Sequence, residues 1–591
     1  MRLVLAIISF VLAAVLVGYG IAQRTILAEP DRVALSVSVE TDAPVTIVDG
    51  SAMNAYDNSQ TLTASGSDKV IAAYGRTTDV LAWVGDTDHN VISFDSEAGE
   101  LTSEFVAGEA SEVPNPTGSD LWLDDLTREE FLAMTVNVPD SISFLLVSDG
   151  VAPAPSEIGV SWPVDNSTPW SGPLIVAGAA ALLVGLVLLL WALHHMRSGR
   201  GPRRKQAKMP KVPRKPLYKP ARKAKPAAQI TSTNMTGAVT TPPVSRKAVR
   251  GIILAPALVG ALLLSGCSAD FWPQDAPVAT PTPSGAPAEM KMTPPAATVP
   301  QVERIVDSVR QAAADADAAK DPALLDARFG GAALQLRTAS YAIQKGDPAQ
   351  PGLAAIPEGE VGPILPQQTE IWPRTIFAVV QATDTTVAPL ALFLEQADPR
   401  SNYKVTYAIT LEPSAVIPDL APANVGASRL LDDTPVLAKT PTDVALGYAD
   451  ILELDVDSDA YLDFQAEGDS LRVSVGPAYK ESVRASLPAT ASVEFGNGLG
   501  IGEPIALATN DNGALTAVTL NETTKVTPVE AGAAVNPSGQ VKALSGVAVS
   551  NKGVLATYGY QLLFYVPPAS GGGKIVLLGY SQGLVSAGEV G

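Results

Sequence analysis

Several places in the sequence hold residue types that do chemistry in other settings. Gly579-Tyr580-Ser581-Gln582-Gly583 sets a serine between two glycines, directly after the strand-like run Lys574-Ile575-Val576-Leu577-Leu578. That order can present a hydroxyl nucleophile on a tight turn. A serine nucleophile needs an imidazole to take its proton. The histidines are His89, His194 and His195, all far upstream, and Glu589 is the one acid after Gly583. The C-terminal half therefore supplies no base, and the motif reads as a decoy. Asp455, Asp457 and Asp459 alternate like cation ligands, yet a calcium loop would next need glycine and glutamate where the chain has Ala460 and Ala466. They read as a solvated acidic turn. Asp86-Thr87-Asp88-His89-Asn90 is explained by a polar hairpin turn. Cys267 is the only cysteine, so no intrachain disulfide forms, and with His194-His195 it makes no zinc set. No catalytic residue, metal or cofactor is expected; the remaining reactive group is the thiol of Cys267.

The elements around that thiol are apolar. Leu3 to Ala22 and Leu174 to Leu193 are uncharged stretches of about the twenty residues a membrane-spanning helix needs. Trp170 and Trp191 flank the second, as an interfacial aromatic belt does. The first could instead be a signal peptide cut after Gly20-Ile21-Ala22. Between Met196 and Arg250 lie 16 Lys or Arg and no Asp or Glu, so a formal net charge of −20 hides one basic segment in an acidic chain. Such a segment has nothing to bury and is expected to be disordered. Basic residues remain on the cytoplasmic side, which puts 196–250 inside and 23–172 outside. The basic loop is expected to meet anionic lipid at about 1 kcal/mol per residue, and not nucleic acid.

A third apolar stretch, Gly251 to Leu264, is too short for a comfortable span and has the length of a signal-peptide core behind the basic Ser245–Arg250. It ends Leu264-Ser265-Gly266-Cys267, which resembles the lipobox of bacterial lipoproteins. The resemblance implies cleavage before Cys267, a diacylglyceryl group on its thiol, and two products from one chain.

The folded regions differ in pattern. Val33, Leu35, Val37 and Val39 alternate with small or polar residues, as a half-buried strand requires. Further strands are expected near 45–48, 70–74, 80–84, 91–94, 142–147 and 158–162, with a helix near 126–134, in a β-sandwich. After a Pro-, Ala- and Thr-rich tether over 268–299, Val302, Ile305, Val306, Val309 and Ala313 predict a helix, and Thr440-Pro441 opens another. Leu325-Asp326, Gly331 and Leu334 recur at identical spacing as Leu462-Asp463, Gly468 and Leu471. Leu392-Phe393-Leu394 with Val405 recurs as Leu563-Phe564-Tyr565 with Val576. These imply two α+β units, 300–435 and 436–591, whose element order resembles the cone-shaped nuclear-transport-factor-like superfamily.

The expected protein is thus a multidomain membrane protein of the cell envelope. Its parts are a membrane helix or signal anchor (1–22), an all-β sandwich-like extracytoplasmic domain (23–172), a span (173–195), the basic loop (196–250), a lipobox signal or third membrane segment (251–267), the tether, and two tandem cone-like units. As a whole it resembles actinobacterial envelope proteins that join a two-span β-domain to a lipobox domain. The resemblance brings no established activity. The Gly579–Gly583 motif resembles the elbow of cutinases and other α/β-hydrolases, and Asp455–Asp459 the D-x-D of glycosyltransferases, whose nucleotide sugars are cytoplasmic. A non-enzymatic binding or assembly module, meeting an envelope protein or cell-wall partner, is expected. The alternative is a carbohydrate-active enzyme, glycosyltransferase or glycoside hydrolase, in which a hydrolase would need two carboxylates about 5–10 Å apart in a cleft. A sensor would need an output domain, which the basic loop does not contain.

Overall fold

A computed structural model describes residues 1–27, 30–164, 168–198 and 293–591. They fall into two compact units, Met1–Asp31 with Asp165–Gly285 and Arg32–Val164 with Ala286–Gly591. The first unit contains two helices long and apolar enough to cross a membrane, α1 (Arg2–Thr25) and α4 (Ser171–Ser198). They pack antiparallel, because Gly20 lies against Ile175, Gly178 against Val17 and Gly185 against Phe10. The missing side chains let the backbones close up: a Cβ at Gly178 would stand 2.6 Å from Val17 Cγ2. Arg24 Nε donates to Ser171 Oγ at 3.0 Å, tying the end of α1 to the start of α4.

The second unit opens with one eight-stranded sheet, ordered β1 (Arg32–Ser38), β8 (Glu157–Pro163), β3 (Gln60–Arg76), β7 (Ile142–Val147), β2 (Val45–Val48), β4 (His89–Asp95), β5 (Glu100–Val106), with β6 (Asp124–Val136) also on β3. The end strands β1 and β5 approach each other, so the sheet nearly closes. This corrects the expected sandwich: a single coiled sheet buries its concave face on itself. Inside lie Leu62, Ala64, Phe144, Leu146, Val160 and Trp162; a second core on the outer face holds Ile47, Ile71, Trp83, Trp122, Leu145 and Val147. Two local expectations also change. Residues 80–84 belong to a helix, α3 (Thr77–Val84), whose Val80, Trp83 and Val84 share one buried face. Residues 126–134, rich in helix formers, lie in β6, where pairing along β3 overrides propensity and Leu132 and Met134 alternate inward. A one-turn helix, α2 (Gly50–Met53), completes the region.

The C-terminal region is α+β and has four layers. One sheet runs β12 (Lys404–Thr410), β11 (Leu390–Gln396), β10 (Arg374–Ala382), β9 (Gly359–Pro366). The other runs β13 (Arg429–Leu430), β15 (Ile505–Ala508), β16 (Ala514–Pro528), β17 (Val554–Val566), β18 (Val576–Glu589), with β14 (Ala491–Leu499) on β16. The sheets pack face to face through Phe377, Phe393, Tyr407, Ile409, Leu515 and Leu563. Helices α5 (Val299–Ala319) and α6 (Gly331–Gly346) cover the first sheet; α7 (Pro441–Leu454), α8 (Ser470–Val475) and α9 (Pro477–Ser486) belong to the second. Burial on both faces explains unbroken apolar runs such as Ile376–Val380, where alternate residues feed alternate cores. A last short helix, α10 (Gly539–Ser545), rests on α6 and β18.

Recurrent sequence positions fall on corresponding places. Leu394 pairs with Val405 across β11–β12, and Tyr565 with Val576 across β17–β18. Phe329 forms a parallel bridge to Val405, and Phe464 to Ile575. Gly331 and Gly468 both take left-handed φ, +51° and +86°, at the chain reversal before a helix. Leu325 is buried while Leu462 is exposed, so the likeness fades in the connecting turns. Thr298 closes a capping box with Gln301 at the start of α5, and Pro295 already bridges Gln368.

The β-rich region and the C-terminal region meet in a polar junction with an aromatic floor. Trp83 and Trp122 pack edge to face at 5.5 Å, and Trp372 joins their cluster. Arg374, fully buried, gives Nη2 to Asp79 at 2.6 Å and lies 3.7 Å over the Trp372 ring. Arg76 also holds Asp79, at 2.7 Å, and donates to Pro295 O at 2.8 Å. Asp120 takes the Arg328 guanidinium and the Tyr403 N–H. Gln301, Arg304 and Arg400 donate to main-chain carbonyls of Leu121, Trp122 and Trp83.

Candidate functional site

A cleft of about 510 Å³ opens where α6, the end of β12 and the start of β18 converge. Its apolar wall comes from Phe329 and Leu336 beside α6, Leu353 and Pro357 on the following loop, and Leu390 and Ala408 on the first sheet. The opposite wall is polar: Thr410, Glu412, Ser470, Gln561, Tyr580, Ser581 and Gln582. Most of these groups are already engaged. The Thr410 N–H donates to Ser581 Oγ at 3.1 Å, and the Ala408 N–H to Gln561 Oε1 at 2.8 Å. The Ser470 hydroxyl donates to Glu412 and stands 3.2 Å from the Tyr580 hydroxyl. Arg337, also in the cleft lining, grips both Asp317 oxygens at 2.6 Å and lies over the Phe329 ring at 5.4 Å. Burial, reinforced by the hydrogen bond to Asp317, pushes the Tyr341 phenol far above its usual range.

The Gly579–Gly583 motif thus lines the cleft without forming an elbow. Ser581 sits within β18, in register with Gln561 of β17. Its two glycines serve packing. A Cβ at Gly579 would stand 2.4 Å from Thr410 O, and one at Gly583 2.6 Å from Leu336 Cδ1. The first admits the end of β12 against β18, and the second seats α6 on the strand. Glu589 accepts from Ser550 Oγ at 2.8 Å near the far end of the strand.

The other candidates are structural. Asp455 turns the chain after α7 with a left-handed φ of +51° and takes Arg472 Nε at 2.7 Å, while Asp457 and Asp459 follow in the turn. Asp88 Oδ1 accepts the Gly108 N–H at 2.8 Å, and His89 Nδ1 lies 2.7 Å from Thr87 O, so that segment ties a loop to β4. Among the described residues no group of three or more His, Cys, Asp or Glu could hold a metal ion. His194 and His195 lie in the last turns of α4. Leu264, Ser265, Gly266 and Cys267 lie outside the described residues, as does the basic loop beyond Ser198. Of the polar groups lining the cleft, the Gly579–Gly583 motif contains Tyr580, Ser581 and Gln582; Glu412, Ser470 and Gln561 come from three separate segments that no motif links.

A helix–sheet–sheet–helix α+β region carrying a nearly closed β-sheet defines the class of protein. The model of a family described as a domain of unknown function, DUF8094, matches residues 293–589, and the chain belongs to that family. The match ends on the last residue of β18 and begins at the residue where the described C-terminal region starts. No curated protein matches the chain.

Proposed function

We propose that this is a membrane-anchored binding module of the actinobacterial envelope type, with both folded regions outside the cytoplasm, and that the α6–β12–β18 cleft receives the ligand. The observation that carries the reading is the cleft's division into an apolar wall and a wall of mostly neutral hydrogen-bonding groups, with Glu412 as its one lining carboxylate. A site of that make-up suits an amphipathic molecule, apolar chain on one side and hydroxyl or amide on the other. The alternative, a carboxylate-dependent carbohydrate-active enzyme, gains no support from such a wall. The two halves of the C-terminal region are divergent copies of one cone-like unit, a reading supported by the matching Leu394–Val405 and Tyr565–Val576 pairs.

Topology follows from continuity. Residues 32–164 and 293–591 belong to one compact body, which has to lie on one face of a membrane. If α4 crosses, the chain has to cross again before Thr293. Gly251–Leu264 is the apolar segment available, and the lipobox behind it makes Cys267 the lipidated residue, cut after Leu264-Ser265-Gly266. The basic residues between the crossings then stay inside beside anionic lipid, and the partner is an envelope or cell-wall component.

The test is photocrosslinking in intact cells with benzoylphenylalanine at Gln582, an exposed residue at the cleft. Adducts of a small amphipathic molecule are expected, and Ala354→Trp, which fills the opposite wall, should abolish them. Absence of adducts, or adducts unaffected by Ala354→Trp, would contradict the assignment.

A further inference from the structure

The junction between the β-rich and C-terminal regions has the anatomy of a subunit interface. Its centre is apolar and aromatic, with Trp83, Trp122 and Trp372 in one cluster. Around it run buried ion pairs that cross between the regions: Arg374, 0% exposed, with Asp79 at 4%, and Arg328 at 11% with Asp120 at 3%. Removing one side would strand the other's charge in a desolvated pocket. Along the chain the two regions are separated by residues 165–292. The contacts across the junction lie wholly within 32–164 and 293–591, so cutting the connection leaves them in place.

We propose that the junction is an intersubunit interface, so that cutting the chain before Cys267 turns one polypeptide into a stable two-subunit complex instead of releasing two proteins. The inference rests on the proposed lipobox reading. In the cut, water gives its hydroxyl to the Gly266 carbonyl carbon and a proton to the Cys267 amine as the peptide bond breaks. The β-rich subunit then stays docked on the lipoprotein through Asp79, Asp120, Arg328, Arg374 and Arg400, and its helices add a second anchor to the acylated one.

The experiment uses the full chain in detergent, with an affinity tag after Gly591 and a site-specific protease sequence inserted between Lys225 and Pro226. After cutting, the N-terminal fragment should stay on the tag resin through washes at high salt, because buried pairs are little screened. In Asp120→Ala/Arg400→Ala it should be lost at least about tenfold faster; tenfold corresponds to about 1.4 kcal/mol. Arg304→Ala, at the margin of the junction, is the milder variant and should give an intermediate loss if the double variant fails to fold when uncut. Separation of the wild-type fragments would overturn the inference, and so would equal retention in all variants, which would place the attachment in the micelle. The intact mass of the unmodified chain's C-terminal product, with or without a diacylglyceryl group on Cys267, tests the lipobox reading separately.

Discussion

At position 469 a carboxyl is held where water scarcely reaches. Both its oxygens accept the Tyr448 hydroxyl, at 2.9 Å each, and one accepts the Arg472 N–H at 2.9 Å to cap α8. Burial pushes the Asp469 carboxyl above its ordinary range, with these hydrogen bonds and the Arg472 charge opposing. A folded-state value above the unfolded one gives a stabilising contribution that is complete below the unfolded pKa and lost as pH rises through the folded one. Asparagine caps a helix nearly as well and does not titrate. The melting temperature of wild type minus that of Asp469→Asn should therefore fall as pH rises from about 3 to about 7. A difference that grows with pH would show the carboxylate to be the favoured form. None of these residues belongs to a motif, and the same is true of Asp79 and Arg374, 295 positions apart in sequence. The pattern Gly579–Gly583 was visible in the sequence, but the reason for its glycines, the approach of Thr410 O and Leu336, depends on contacts made far along the chain.

The elements divide according to what controls them. Strands β1 and β8 and helices α5 and α7 are legible because period-two or 3.6-residue apolar patterns and Thr–Pro starts decide them locally, and β7 because it is a short, almost unbroken apolar run. Helix α3 and strand β6 were misread because their states are set by neighbours: Asp79 of α3 answers Arg374, and β6 answers the long edge of β3. The nearly closed sheet was hidden for the same reason, since closure depends on how β1 and β5 meet. For α1 and α4 the sequence leaves open whether α1 is kept, and their close packing supplies a direct way to find out. A Cβ at Gly185 would stand 3.3 Å from Ser9 Cβ, close to disulfide reach. Ser9→Cys/Gly185→Cys should therefore form an intrachain disulfide on oxidation. Adding Gly178→Leu, which forces Val17 away, should cut the yield several-fold. No disulfide in either variant would mean that α1 is removed or does not pair with α4.

For the whole molecule, the decisive property is that residues 32–164 and 293–591 share one body although a basic segment and apolar stretches separate them in sequence. The junction gives a physical reason for the two regions to share one side of a membrane, because Arg374 could not reach Asp79 across a bilayer; charge bias is what supports the proposal that this side is the exterior. The lipidated cysteine, the anchored cleft and the two-subunit product all follow only if that side is the exterior. The most direct measurement is labelling of intact cells with a membrane-impermeant maleimide after Val151→Cys and, separately, Val473→Cys, both at exposed positions, with labelled peptides mapped by mass spectrometry so that Cys267 is left in place. Both positions are predicted to label in intact cells as fully as in permeabilised ones. Labelling of either position only after permeabilisation would contradict the account.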